Sequence, residues 1–242
     1  FLLTAAALIG IPLSTQGASI KTQTIHGMAY EGEHFSAPWP APLYTVNYVT
    51  ERGPDVDRLT VVDKDKKGKA FYTQTVDLEA GVPKSFSFSN DLLDQQGSLT
   101  VTEKELIMTF TDKGKTKTVK KSRPQQLFAV GPSLNRLVAD HFEELVSGKD
   151  RSFRMVVIQR LDVYGMKMSR EPVDPKETTP EIKDGRWVKL VMKVDDPFIG
   201  IFAPKIYEIY DTKTGKLLFV KAPLASADIK QQKMTTGTIR YK

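Results

Sequence analysis

Short runs of alternating apolar and polar residues, divided by turn-forming clusters, recur along most of this chain. They restrict its fold more than any other feature, because a period of two places every second side chain on one face of an extended strand. "YTVNYVT" (44–50), "DRLTVVD" (57–63) and "KAFYTQTVDL" (69–78) fit this pattern, the last two joined by a Lys/Gly turn. "KSFSFSN" (84–90) alternates strictly, with Phe86 and Phe88 on one face. Residues 98–121 read as three strands, turning near Glu103–Lys104 and again at 112–115. Near the C-terminus, "PKIYEIYDTKTGKLLFVKAP" (204–223) reads as a hairpin that turns through 211–215, and "MTTGTIRYK" (234–242) supplies a last strand.

One segment breaks the pattern. Leu134, Leu137, Val138, His141, Phe142 and Leu145 recur at helical spacing, Pro132 or Ser133 suits a helix start, and Gly148 suits a stop. The spacing predicts a single amphipathic helix over about 133–147, laid on the sheet. After it, apolar positions are odd-numbered from Phe153 to Val163 and then even-numbered at Tyr164, Met166 and Met168. A one-residue shift of parity predicts a long strand over 152–170, bent near Gly165 by a bulge. "GRWVKLVMKV" (185–194) places Val188, Leu190, Met192 and Val194 inward, with Lys189 and Lys193 outward. Residues 20–42, with "APWPAP" near their end, read as an irregular lead-in. The fold class expected is therefore mainly β: one domain over 43–242, an antiparallel, strongly curved sheet or barrel with one helix packed against it.

Residues 1–13, "FLLTAAALIGIPL", are uncharged and apolar, and small and polar residues follow them. This reads as a signal peptide over 1–19, truncated at its start, and predicts a periplasmic or secreted protein. With no cysteine, the chain carries neither disulfides nor a Cys-linked lipid anchor. At 242 residues it is long enough to bury a core without such staples. The net charge of +6 comes from Lys-rich stretches at 63–69 and 112–123. They suit solvated turns, with peripheral contact to an anionic membrane or envelope surface as the functional alternative. Nucleic acid is not expected as a partner, given export, and nothing in the sequence sets the oligomeric state.

The search for chemistry yields little. His141 lies on the apolar stripe of the helix, where it reads as a satisfied core histidine; Glu144, three residues on, is its one candidate co-ligand. His26, Glu31, Glu33 and His34 have the right atoms for a metal but sit in the lead-in, where no regular element fixes their spacing. Ser133 lacks the second glycine of a nucleophile elbow, and no phosphate-binding glycine loop occurs. No catalytic residue, metal or cofactor is expected. The candidates for ligand binding are the apolar segment "DPFIGIFAP" (196–204), with Phe198, Ile199, Ile201 and Phe202, together with Arg154, Arg160 and Tyr164. The apolar segment reads either as a plug of the core or as a flap over an apolar ligand. The arginines either face solvent or anchor an anionic head group.

The stretch "ADHFEELVSGKDRSFRMVVIQRLDVYGMKM" (139–168), the hairpin "PKIYEIYDTKTGKLLFV" (204–220) and the closing "TTGTIRYK" (235–242) resemble a family of uncharacterised exported bacterial proteins, a domain of unknown function. The resemblance covers most of 44–242 and implies a β-rich exported domain with distant lipocalin-like or lipoprotein-carrier-like character, in which a curved sheet encloses an apolar cavity. It implies no activity. The expected function is a non-enzymatic module that binds a lipid or other apolar molecule. The alternatives are a structural or interaction protein of the envelope, and last a hydrolase without a recognisable motif.

Overall fold

The computed structural model describes residues 21–31, 39–173, 186–196, 205–225 and 234–241. Within them the alternating runs form fifteen strands. The first eight are β1 (Lys21–Glu31), β2 (Tyr44–Arg52), β3 (Val56–Lys64), β4 (Ala70–Glu79), β5 (Val82–Asn90), β6 (Gln95–Val101), β7 (Glu105–Asp112) and β8 (Lys115–Ser122). After a short strand β9 (Phe128–Val130) come two helices, α1 (Ser133–Asp140) and α2 (Phe142–Val146). The remainder is β10 (Arg151–Val157), β11 (Asp162–Glu171), β12 (Trp187–Val194), β13 (Ile206–Asp211), β14 (Leu217–Ala225) and β15 (Met234–Tyr241).

All fifteen belong to one sheet, in the order β8-β7-β6-β5-β4-β3-β2-β1-β15-β14-β13-β12-β11-β10-β9. Two antiparallel meanders, β1 to β8 and β10 to β15, are joined side by side through β1 and β15; only β9 pairs in parallel, with β10. The sheet curls without closing, because its edge strands β8 and β9 are not bonded to each other. The β9 end rolls onto the inner face of the other meander. There β9 touches β5, and the 3-10 turn Ile158–Arg160 touches β6 and β7. Gly97 makes that approach possible: a Cβ on it would lie 2.5 Å from Ile158 Cγ2 and 2.5 Å from the Phe88 ring. Alternation then sorts residues between the two faces, and the inward set merges into one core that includes Phe86, Phe88, Met108, Phe153, Met155 and Met168.

The structure corrects the sequence reading at four places. Residues 21–31 are strand β1, near the middle of the sheet between β2 and β15, not an irregular lead-in. The segment over 152–170 is not one bent strand. It is the hairpin β10–β11, closed by Ile158–Arg160 and by Leu161 at φ 52°, so the parity shift marks a turn. Gly165 sits opposite Arg154 inside that hairpin and makes no bend. The helix is broken at His141, whose φ of −119° and ψ of 14° leave the helical region and separate α1 from α2. Gly148, at φ 93°, does end the second segment. Lys189 keeps its outward parity yet is buried, at 8% exposure, with its ammonium 4.7 Å from the Tyr207 ring centre. That outer face also carries the second apolar cluster, in which Ile209 and Phe219 pack with Trp39 and Trp187.

Candidate functional site

An apolar interior tolerates a buried polar group when that group has a partner. Most of the inward positions obey this, and one region does not. On β3 the inward residues are Leu59, Val61 and Asp63; on β13 the inward series Ile206, Glu208, Tyr210 likewise carries an acid. Asp63 is fully buried, and neither carboxyl oxygen has a hydrogen-bond partner among the described residues. The hydroxyls of Tyr44 and Tyr72 are buried and equally unpartnered. Glu208 is bonded through one oxygen only: Tyr210 donates its hydroxyl to Oε2 at 2.6 Å, while Oε1 is unsatisfied.

Strand register explains why these groups gather. Asp63 lies between Tyr72 on β4 and Val46 on β2, Val46 pairs with Gly27 on β1, and Gly27 pairs with Tyr241 on β15. Gly27 lets the Tyr241 ring lie across β1, since a Cβ there would stand 2.9 Å from the ring. One row of the sheet thus runs from a tyrosine through an acid and a glycine to a second tyrosine. Tyr44 packs beside it, with its ring edge-on to Phe71 at 5.3 Å. At the far side of the cluster, Tyr210 stacks edge-on against Phe142 of α2 at 5.4 Å.

Burial sets the protonation of the cluster. It alone pushes the Asp63 carboxyl well above the usual range, with no cation among the described residues to offset it. Burial also pushes Glu208 up to about 7, against a smaller opposing effect of the bond from Tyr210. The tyrosines are raised by burial first: Tyr48 to about 12 despite hydrogen bonds with Asn135 and Thr50, and Tyr44, Tyr72, Tyr210 and Tyr241 upward as well. The field of Asp63 reaches Tyr44, Tyr72 and Tyr241, and the field of Glu208 also reaches Tyr241, which therefore stands between the two acids. Burial therefore favours the protonated forms, so the cluster offers phenolic O–H donors together with carboxyls raised toward their neutral state. Such a set can bind a polar group inside an apolar environment; it includes no base paired with a nucleophile.

The residues singled out in the sequence lie elsewhere. Arg154 is exposed, and its Nε donates to Gln126 Oε1 at 3.0 Å. Arg160 is exposed at the 3-10 turn, and Tyr164 is half-buried against the edge of the core. The two arginines therefore lie outside the enclosed face and do not converge on the cluster. Phe198, Ile199, Ile201 and Phe202 lie outside the described residues, as do Glu33, His34 and the segment 1–19. His26 is on the outer side of β1, 2.7 Å from Asn47 Oδ1. His141 is part-exposed, not sealed in the core. Arg151 donates to its Nδ1 at 3.1 Å and also bonds Glu144, whose carboxylate lies 3.6 Å from the ring. Burial first, then Arg151, lowers the pKa of His141, so the ring is a neutral acceptor that ties the helix break to β10. Among the described residues, no group of three or more His, Asp or Glu side chains is placed to hold a metal.

The Lys-rich turn that begins at Asp63 masks the first acid in the sequence. Its parity with Leu59 and Val61 is the available signal, as is that of Glu208 with Ile206 and Tyr210.

No family model matches the chain, and no curated protein matches it. Among solved structures, a β-barrel-like protein of domain of unknown function DUF1849 from Brucella abortus is similar over 90% of this chain and 95% of that one, with 8% identity and a TM-score of 0.41.

Proposed function

We propose that this chain is an exported, non-enzymatic binding protein that holds a small amphiphilic molecule inside the rolled sheet, with the polar end at the Asp63–tyrosine cluster. The observation that carries the reading is the gathering of unused hydrogen-bonding atoms at one place in a mainly apolar interior: both oxygens of Asp63 and the hydroxyls of Tyr44 and Tyr72. Each such atom costs about 1–3 kcal/mol when buried without a partner, so a guest that satisfies several regains much of that cost. The apolar residues around them suit a hydrocarbon body, and few convergent polar groups in an apolar surround are the usual composition of a ligand site. Export rests on the uncharged apolar stretch at 1–13.

Mass spectrometry under non-denaturing conditions tests the reading. After incubation with a total lipid extract, a population of the protein should carry one added small molecule, recoverable by solvent extraction. A bare mass under every condition would overturn it.

A second reading has its own observation. The β7–β8 hairpin forms an edge of the sheet, and its Lys113, Lys115 and Lys117 are exposed and make no ion pair among the described residues. This supports peripheral contact with an anionic surface. Binding to vesicles containing anionic lipid should weaken at least tenfold when these three lysines become glutamine. Unchanged binding would refute the contact.

A further inference from the structure

The chemical class of the guest's polar end follows from what the cluster has and lacks. We infer that Asp63 is the recognition residue for a protonated amine, whose N–H groups bond its two unpartnered oxygens. The inference rests on the binding reading above and narrows it.

Three observations lead there. Asp63 is at 0% exposure with both oxygens unpartnered, so they are closed off from solvent, unlike those of an acid on a turn. Every group whose field couples to it is a phenol: Tyr44 from β2, Tyr72 from β4 and Tyr241 from β15, the last also coupled to the acid Glu208 on β13. No lysine, arginine or histidine among the described residues faces it, and burial is the one influence on its acidity. An anionic head group would be buried with no cation among the described residues to balance its charge, which disfavours it. A divalent ion would want more oxygen ligands than one carboxylate and phenols that keep their protons. An ammonium with three N–H donors matches two carboxylate oxygens and a phenolic oxygen, and aromatic rings favour a cation nearby.

The proton balance is simple. Where the free protein holds Asp63 as COOH, the amine enters as R–NH3+, the complex holds COO− against R–NH3+, and one proton leaves to solvent. Affinity should therefore rise about tenfold per pH unit while Asp63 is protonated in the free protein.

Calorimetric titration of the whole chain with n-octylamine, n-octanol, octanoate and octyltrimethylammonium, in two buffers of different ionisation enthalpy between pH 5 and 8, tests this. Octylamine should saturate one site, release about one proton per molecule bound, and bind at least 30-fold more tightly than octanoate or octanol. Octyltrimethylammonium, a cation without N–H donors, should fall between them. D63N should lose at least 30-fold in octylamine affinity and all of the proton release; D63L, which removes the polar atoms outright, should do the same. If octanol or octanoate binds as well as octylamine, or if D63N and D63L bind octylamine like the parent, the amine assignment is wrong while an interior binding site survives. If no probe binds and the non-denaturing mass spectrum is bare, the binding reading itself falls.

Discussion

Between pH 4.5 and 7 the folded protein keeps a proton on Glu208 that the unfolded chain gives up, because burial raises this carboxyl from 4.5 to about 7. The folded state then binds more protons than the unfolded one, so stability must fall as pH rises across that window. Each unit of difference is worth about 1.4 kcal/mol, which makes the loss from this one residue about 3 kcal/mol by neutral pH. For a chain of this size, 1 kcal/mol moves the melting temperature by roughly 2–4 °C, so the loss amounts to roughly 6–12 °C. E208Q isolates it, since the amide oxygen still accepts the Tyr210 hydroxyl and nothing titrates. Melting followed by circular dichroism at half-unit pH steps should show the parent losing that much more than E208Q between pH 4.5 and 7. Asp63 adds a loss of the same sign to both proteins, and His141, whose pKa is lowered, adds a gain up to its ordinary value in both. The difference between the two curves therefore belongs to Glu208. Parallel curves would refute the burial argument for the cluster.

Other outcomes follow from the same geometry. D63L should raise the stability of the empty protein by about 1–3 kcal/mol at neutral pH, because it removes two buried unpartnered oxygens at little change in volume; chemical denaturation measures it. G27A should cost about 1–3 kcal/mol, since its Cβ would meet the Tyr241 ring at 2.9 Å, and the tyrosine near-ultraviolet dichroism should change with it. G97A should cost about as much by forcing the 3-10 turn away from β6, a check on the rolled-over edge by denaturant titration. R151M should raise the pKa of His141, followed by the ring proton shifts in nuclear magnetic resonance, because the guanidinium that opposes its charge is gone.

Much of the sheet is legible in the residues, and the exceptions have physical reasons. Strict alternation in "KSFSFSN" and the turn chemistry at 112–115 and 211–215 place β5, β7, β8, β13 and β14 correctly, because local sterics decide them. Strand β1 escapes notice because two of its inward positions, Gly27 and Ala29, are small. Gly27 is small because the Tyr241 ring occupies the space in front of it, a requirement set by a strand more than two hundred residues away. The hairpin β10–β11 passes for a single bent strand because a short turn and a bulge both shift parity by an odd number. The cluster itself was within reach at Asp63 and Glu208, whose parity marks them as inward. What no local pattern shows is that β3 and β13, five strands apart in the sheet, direct their acids toward one tyrosine.

The most direct test of the central claim is the carbon resonance of the Asp63 carboxyl, observed in selectively labelled protein. In the absence of ligand it should titrate well above the ordinary aspartate range and, at a pH where it is still protonated, move to the shift of a carboxylate when octylamine is added. A carboxylate shift in the free protein at pH 7, titrating near the ordinary aspartate value, would place Asp63 in contact with solvent and contradict the account.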